Sequence, residues 1–186
     1  GVMWKKYYGL PLEDGVNKMI PTKDGGLMLI GHVDINNNIC DGYIIKTDQE
    51  GNQDWSLQVG DINDDLFFDG VQTSQGDFFF TGCHENPLTG NMDMYFVKVN
   101  ETGELLFTKG IDAGHHEVGT GIQQTTDGNF VICGFAMDIN DEVDCHITKV
   151  DPDGNIIWQN SFGTSNQDRL WDVQALSNGD VIAAGG

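Results

Sequence analysis

The sequence predicts an all-β chain, a β-propeller of four-stranded antiparallel blades with about three and a half blades present. Three observations carry this. First, the phrase Lys46-Thr-Asp-Gln-Glu-Gly51-Asn-Gln-Asp-Trp55 recurs at Lys98–Phe107 and at Lys149–Trp158, and Trp4 ends a further copy; the aromatic positions Trp4, Trp55, Phe107 and Trp158 stand 51, 52 and 51 residues apart. Second, two glycine series, Gly25/Gly76/Gly128/Gly179 and Gly31/Gly82/Gly134/Gly185, keep the same spacing. Third, the second strand of each unit is apolar on both faces (Leu27 to Ile30, Phe78-Phe79-Phe80, Phe130-Val131-Ile132, Val181 to Ala184), so each sheet must be covered on both sides. A β-helix has a much shorter period, and a plain sandwich does not repeat itself.

Residues 1–9 read as one strand. Lys18 to Thr22 and Leu27 to Ile30 form a hairpin about Lys23-Asp24-Gly25-Gly26, because Asp-Gly between apolar runs is a strong turn signal. A polar loop is expected from His32 to Asp41, a third strand over Tyr43 to Lys46, a turn at Asp48 to Gly51, and a fourth strand over Asp54 to Val59. The cycle then restarts. Labelled a to d, the strands run d (1–9), abcd (10–60), abcd (61–111), abcd (112–163) and ab (164–186), a single propeller segment. The chain opens and stops inside a repeat, which reads as a processed or truncated piece of a longer propeller.

Composition narrows function more by exclusion. At 186 residues and 39% hydrophobic, the chain can bury a core. A net charge of −20 repels a phosphate backbone, so nucleic acid is not an expected partner. No apolar run approaches membrane-span length. The four cysteines lack Cys-x-x-Cys spacing, which argues against a zinc site; disulfides or buried thiols both fit, and Cys133 and Cys145 flank one hairpin loop.

The Asp-x-x-Gly-x-x-x-Trp phrase at Asp48/Gly51/Trp55 and Asp151/Gly154/Trp158 resembles the blade motif of quinoprotein-type propellers, in which the Trp docks between neighbouring blades. The fuller pattern from Ile122 to Gly128, Gly134, Asp144, Lys149, Asp153 to Trp158 and Ser161-Phe162-Gly163 resembles the roughly 50-residue propeller repeats of secreted and cell-surface bacterial proteins, abundant in Bacteroidetes. Phe107 in place of Trp, and Gln75-Gly76-Asp77 in place of Asp-Gly, depart from that pattern. The resemblance covers the whole chain and implies an extracellular or cell-surface location; it specifies fold well and activity hardly at all.

Antiparallel order puts the d–a and b–c connections on one rim and the short a–b and c–d turns on the other. The first rim is expected to carry the longer, less uniform loops and therefore the binding site. Within it, Asp34, Asn36, Asn38 and Asp41, and Asp138, Asn140 and Asp144, alternate oxygen ligands as calcium loops do, and Asp61, Asn63 and Asp65 are similar, though none has the glycine and distal Glu of an EF-hand. Calcium is the candidate cofactor; Asx-turn capping is the competing explanation. Asp14, Asp65, Glu117 and Asp168 recur in register, as do Asp41, Asp93 and Asp144, and a residue required by every blade reads as an acceptor for loop N–H groups. Lys46, Lys98 and Lys149 read as solvated or paired with a neighbouring Asp.

What breaks the repeat is His115-His116-Glu117, with His84-Glu85 on the adjacent b–c loop; two His and a carboxylate are a zinc-type donor set. Trp171, Tyr7, Tyr8, Phe67 and Phe68 lie near the same rim, where they would stack on a sugar unless buried. No nucleophile elbow or phosphate-cradling loop is present. The expected function is a scaffold or adhesion module that presents its loop rim to protein or glycan, more a binder than an enzyme. The alternatives are a metal-dependent propeller hydrolase or lyase, and a subunit of a larger envelope assembly.

Overall fold

In the computed structural model, which describes residues 4–10, 13–36, 39–112, 116–140 and 142–186, every regular element is a β-strand. The strands are β1 (Asp14–Pro21), β2 (Leu27–Asn36), β3 (Ile39–Thr47), β4 (Gln53–Val59), β5 (Asp65–Gln72), β6 (Phe78–Glu85), β7 (Met92–Val99), β8 (Leu105–Ile111), β9 (His116–Gln124), β10 (Phe130–Met137), β11 (Val143–Val150), β12 (Ile156–Phe162), β13 (Leu170–Ala175) and β14 (Val181–Gly185). They form antiparallel sheets in the orders β1-β2-β3-β4, β5-β6-β7-β8 and β9-β10-β11-β12, followed by the pair β13-β14.

The sheets stack face to face in chain order. Alternation along β6 shows why its run of Phe is needed on both faces: Phe78 and Phe80 join Met28, Ile30 and Ile44 of the preceding sheet, while Phe79 joins Ile122, Phe130 and Ile132 of the following one. A smaller cluster of Val131 and Cys133 with Leu170 and Val173 continues the stack. The first strands of neighbouring sheets, here the inner strands, contact one another, β5 against β1 and β9, and β9 against β13.

Both glycine series have local causes. Gly25, Gly76, Gly128 and Gly179 sit in turns at φ between +84° and +106°, where a side chain is strained. Gly31, Gly82, Gly134 and Gly185 lie opposite a bulge in the inner strand, and a Cβ there would collide with the carbonyl oxygen of Gly15, Leu66, Val118 or Arg169.

Several boundaries differ from expectation. Residues 4–10 form no strand. Yet Trp4 lies over Gly51, and Lys6 Nζ donates to Asn52 Oδ1 at 2.9 Å, so this segment engages the first sheet's β3–β4 turn as β4 and β8 engage the next sheets. In those, Trp55 covers Gly103 and Lys109 Nζ donates to Asn155 Oδ1 at 3.0 Å. The His32–Asp41 loop is largely strand: β2 runs to Asn36 and β3 starts at Ile39. Likewise β1 begins at Asp14, β5 at Asp65, β9 at His116 and β11 at Val143. Hairpin ends need only backbone pairing, so polar side chains do not exclude them from the ladder. The b–c connections shrink to residues 37–38, 86–91 and 138–142, so this rim is set apart by irregularity rather than length. All four cysteines are free, and Cys133 pairs with Ile147 while Cys145 pairs with Phe135, so the two thiols are not cross-strand partners.

Candidate functional site

The a–b and c–d rim is uniform. Lys46 reaches Asp24 at 2.6 Å and Asp54 at 3.1 Å, Lys98 reaches Asp77 at 3.1 Å and Lys149 reaches Asp127 at 2.7 Å. The recurring lysine therefore clamps the a–b turn of its own sheet. Lys46 and the Thr22 hydroxyl hold the Asp24 carboxyl down at about 2. A repeated pairing of this kind is architectural.

On the opposite rim the recurring acids also begin as architecture. Asp14 accepts the Leu10 N–H at 3.1 Å, Asp65 the Asp61 N–H at 3.1 Å, and Asp168 the Thr164 N–H at 2.6 Å, each closing its d–a connection. Only in the second sheet is the residue opposite this acid a titratable base. His84 pairs in register with Asp65 across β5–β6, where the first sheet has Val33 opposite Asp14 and the third has Ala136 opposite Glu117.

His84 Nδ1 lies 2.7 Å from Asp65 Oδ1, and its ring stacks on Tyr95 at 5.1 Å, which in turn stacks on Phe67. Asp65 is fully buried. Burial pushes its carboxyl up to about 6 against the hydrogen bond and charge of His84, which pull it down. Burial also pushes the Tyr95 hydroxyl up to about 12. With Asp65 ionised, Nδ1 carries the proton and Nε2 is the free acceptor. The group borders a cavity of about 390 Å³ between the first two sheets, lined also by Gln58, Asp61 and Thr108. An imidazole oriented by a buried carboxylate is chemically a proton acceptor or a ligand to an electrophile.

One sheet further, Asp93, Asp112 and Glu117 bring carboxylate oxygens within 4.8 Å of one another. Asn86 Nδ2 donates to Asp93 at 2.9 Å. These are all-oxygen donors suited in type to a hard cation, on a chain whose acidity makes such groupings common.

The described residues expected to bind metal lie at or near the b–c and d–a connections. Asn38 and His115 lie outside the described residues, as does the side chain of Asn36. Asp34 is on β2 and Asp41 on β3; Asp41 Oδ2 accepts from Gln58 at 2.6 Å, turning toward β4. Asp138 accepts the backbone N–H groups of Asn140 at 2.7 Å and Glu142 at 3.0 Å, the Asx-turn arrangement, while Asp144 sits on β11 beside Gly163. His116 Nδ1 accepts the Met92 N–H at 3.0 Å, and Glu117 gathers with Asp93 and Asp112.

Sequence reasoning named both Asp65 and His84 without joining them. The signal that links them is the bulge between Phe67 and Asp69, which shifts the hairpin register by one. No protein-family model matches the chain, and no curated protein sequence is significantly similar to it.

Proposed function

We propose that the chain is a β-propeller-type binding module, working outside the cell or at its surface, that engages protein or glycan through the rim of d–a and b–c connections. The single observation behind this is the asymmetry of the two rims. One repeats the same lysine–aspartate clamp in three sheets. The other holds groups that occur in one sheet only: the Asp65–His84–Tyr95 cluster and its cavity. Repetition is what stability requires of every blade, whereas recognition calls for residues that differ.

The test is retention of the chain on a glycan array and a panel of cell-surface proteins. Charge reversal on the irregular rim (Asp61→Lys, Glu85→Lys) is expected to abolish retention, and reversal on the uniform rim (Glu50→Lys, Glu101→Lys) to leave it intact. Equal loss from both rims would remove the basis of the assignment.

The Asp65–His84 pair favours a second reading, an enzyme of the hydrolase or lyase kind with His84 as general base. Turnover of an ester or uronide substrate panel that is lost in His84→Ala, with the fold retained, would select it.

A further inference from the structure

The four inner strands are bulged at equivalent places, and the residue displaced at each bulge is Asn17, Phe68, Thr120 or Trp171. All four border one cavity of about 490 Å³, together with Lys18 and Arg169. A volume of that size lies within the usual range of roughly 300–1,000 Å³ for small-ligand sites.

The charge of this cavity is opposite to that of the molecule. The chain has nine Lys and Arg against 29 Asp and Glu, and two of the nine meet here. Lys18 is partly balanced by buried Asp69, at 3.6 Å. Arg169 has no ion pair among the described residues. Its guanidinium lies over the Phe135 ring at 4.9 Å, donates through Nη2 to Gln167 at 3.1 Å, and keeps a buried Nε without a hydrogen-bond partner. A guanidinium without an ion pair is a charge open to an anion, and a carboxylate is the acceptor whose planar geometry suits its outer N–H groups.

Beside it Trp171 is 56% exposed, although it stands on an inner strand where Leu170 and Val173 are buried. It borders the cavity. Asn17 Nδ2 and the Thr120 hydroxyl each donate to a carbonyl, of Phe67 and Leu170, at 2.7 Å each, which leaves their oxygens as acceptors for hydroxyl donors. A cation pair, an open indole face and hydroxyl acceptors together describe a sugar ring bearing a carboxylate.

We infer that the inner-strand cavity binds a single uronic acid unit, its carboxylate on Arg169 and Lys18 and its ring face on Trp171. This deepens the glycan form of the binding-module reading and rests on it. The net charge of −20 disfavours a polyanionic chain and points to a unit carrying one carboxylate.

Isothermal titration calorimetry and Trp fluorescence with an aldouronic trisaccharide carrying one glucuronate test this, with the neutral xylotriose and benzoate as comparison ligands. The expected result is binding of the acidic trisaccharide at least tenfold tighter than either comparison. Arg169→Gln and Trp171→Ala are each expected to weaken it at least tenfold, Lys18→Gln several-fold, and Arg169→Lys less than Arg169→Gln. Should Arg169→Gln fail to fold, Lys18→Gln and Arg169→Lys carry the comparison. No binding, equal binding of xylotriose or benzoate, or affinity unchanged in folded variants would each overturn the cavity assignment. Partner retention that depends on the rim would survive that outcome, so the two failures are separable.

Discussion

Asp65 faces His84 across the β5–β6 hairpin because β5 carries one extra residue between Phe67 and Asp69. Gln72 pairs with Phe78 and Asp69 with Thr81, but beyond the bulge Phe67 pairs with Gly82 and Asp65 with His84. Without it, His84 would stand opposite Leu66, and Asp65 would point to the other face of the sheet. The buried carboxyl and the imidazole thus meet through a backbone irregularity.

The raised Asp65 carboxyl gives the pair a pH signature. A carboxyl that titrates at about 6 when folded and near 3.8 when unfolded binds its proton more tightly in the folded state. Its contribution, on the order of 3 kcal/mol, is therefore fully present below about pH 4 and lost as pH rises through about 6. Urea unfolding of the wild type and of Asp65→Asn across this window is expected to show a slope with pH that flattens in the variant. Parallel curves would refute the raised value.

The stacking of sheets predicts unequal costs at equivalent positions. Val59 and Ile111 end β4 and β8 at 5% and 2% exposure, covered by the next sheet, whereas Phe162 at the same place on β12 is 48% exposed. Ile111→Ala is expected to cost about 2–5 kcal/mol, the usual range for a core truncation, and Phe162→Ala under about 1 kcal/mol. Chemical denaturation of the two variants checks this directly.

Opposite the bulge, Gly82→Ala places a methyl against the Leu66 carbonyl and is expected to cost more than about 2 kcal/mol or to shift the hairpin, which would also separate His84 from Asp65. Gly90→Ala has open space and pays only for its φ of +72°, about 1 kcal/mol. Thermal melts that rank the two in reverse order would contradict the close approach.

The lysine clamp predicts an asymmetry between its partners. Lys46 is buried while Asp24 and Asp54 are largely exposed. Removing both acids strands a buried ammonium; removing the lysine leaves solvated carboxylates. Asp24→Ala/Asp54→Ala is expected to destabilise by about 2–4 kcal/mol and Lys46→Met by under about 1 kcal/mol, measured by denaturant titration.

Much of the architecture was legible in the chain itself. The fifty-odd-residue period, the turn glycines and the doubly apolar Phe78–Phe80 run determined the strands after residue 10, their antiparallel order and the covering of Phe78–Phe80 on both faces, although Ile182 of the last pair stays exposed, because these depend on side-chain alternation and turn chemistry within a few residues. The tendency of Lys46, Lys98 and Lys149 to find an Asp was readable for the same reason. The expected loop over His32–Asp41 was largely strand, because polarity says where water is, not where backbone pairing ends. The joining of Asp65 to His84, the gathering of Asp93, Asp112 and Glu117, and the meeting of Lys18, Arg169 and Trp171 were left to tertiary structure. Each depends on a bulge register or on the approach of separate sheets, and contacts between residues distant in the chain are fixed only when the sheets pack.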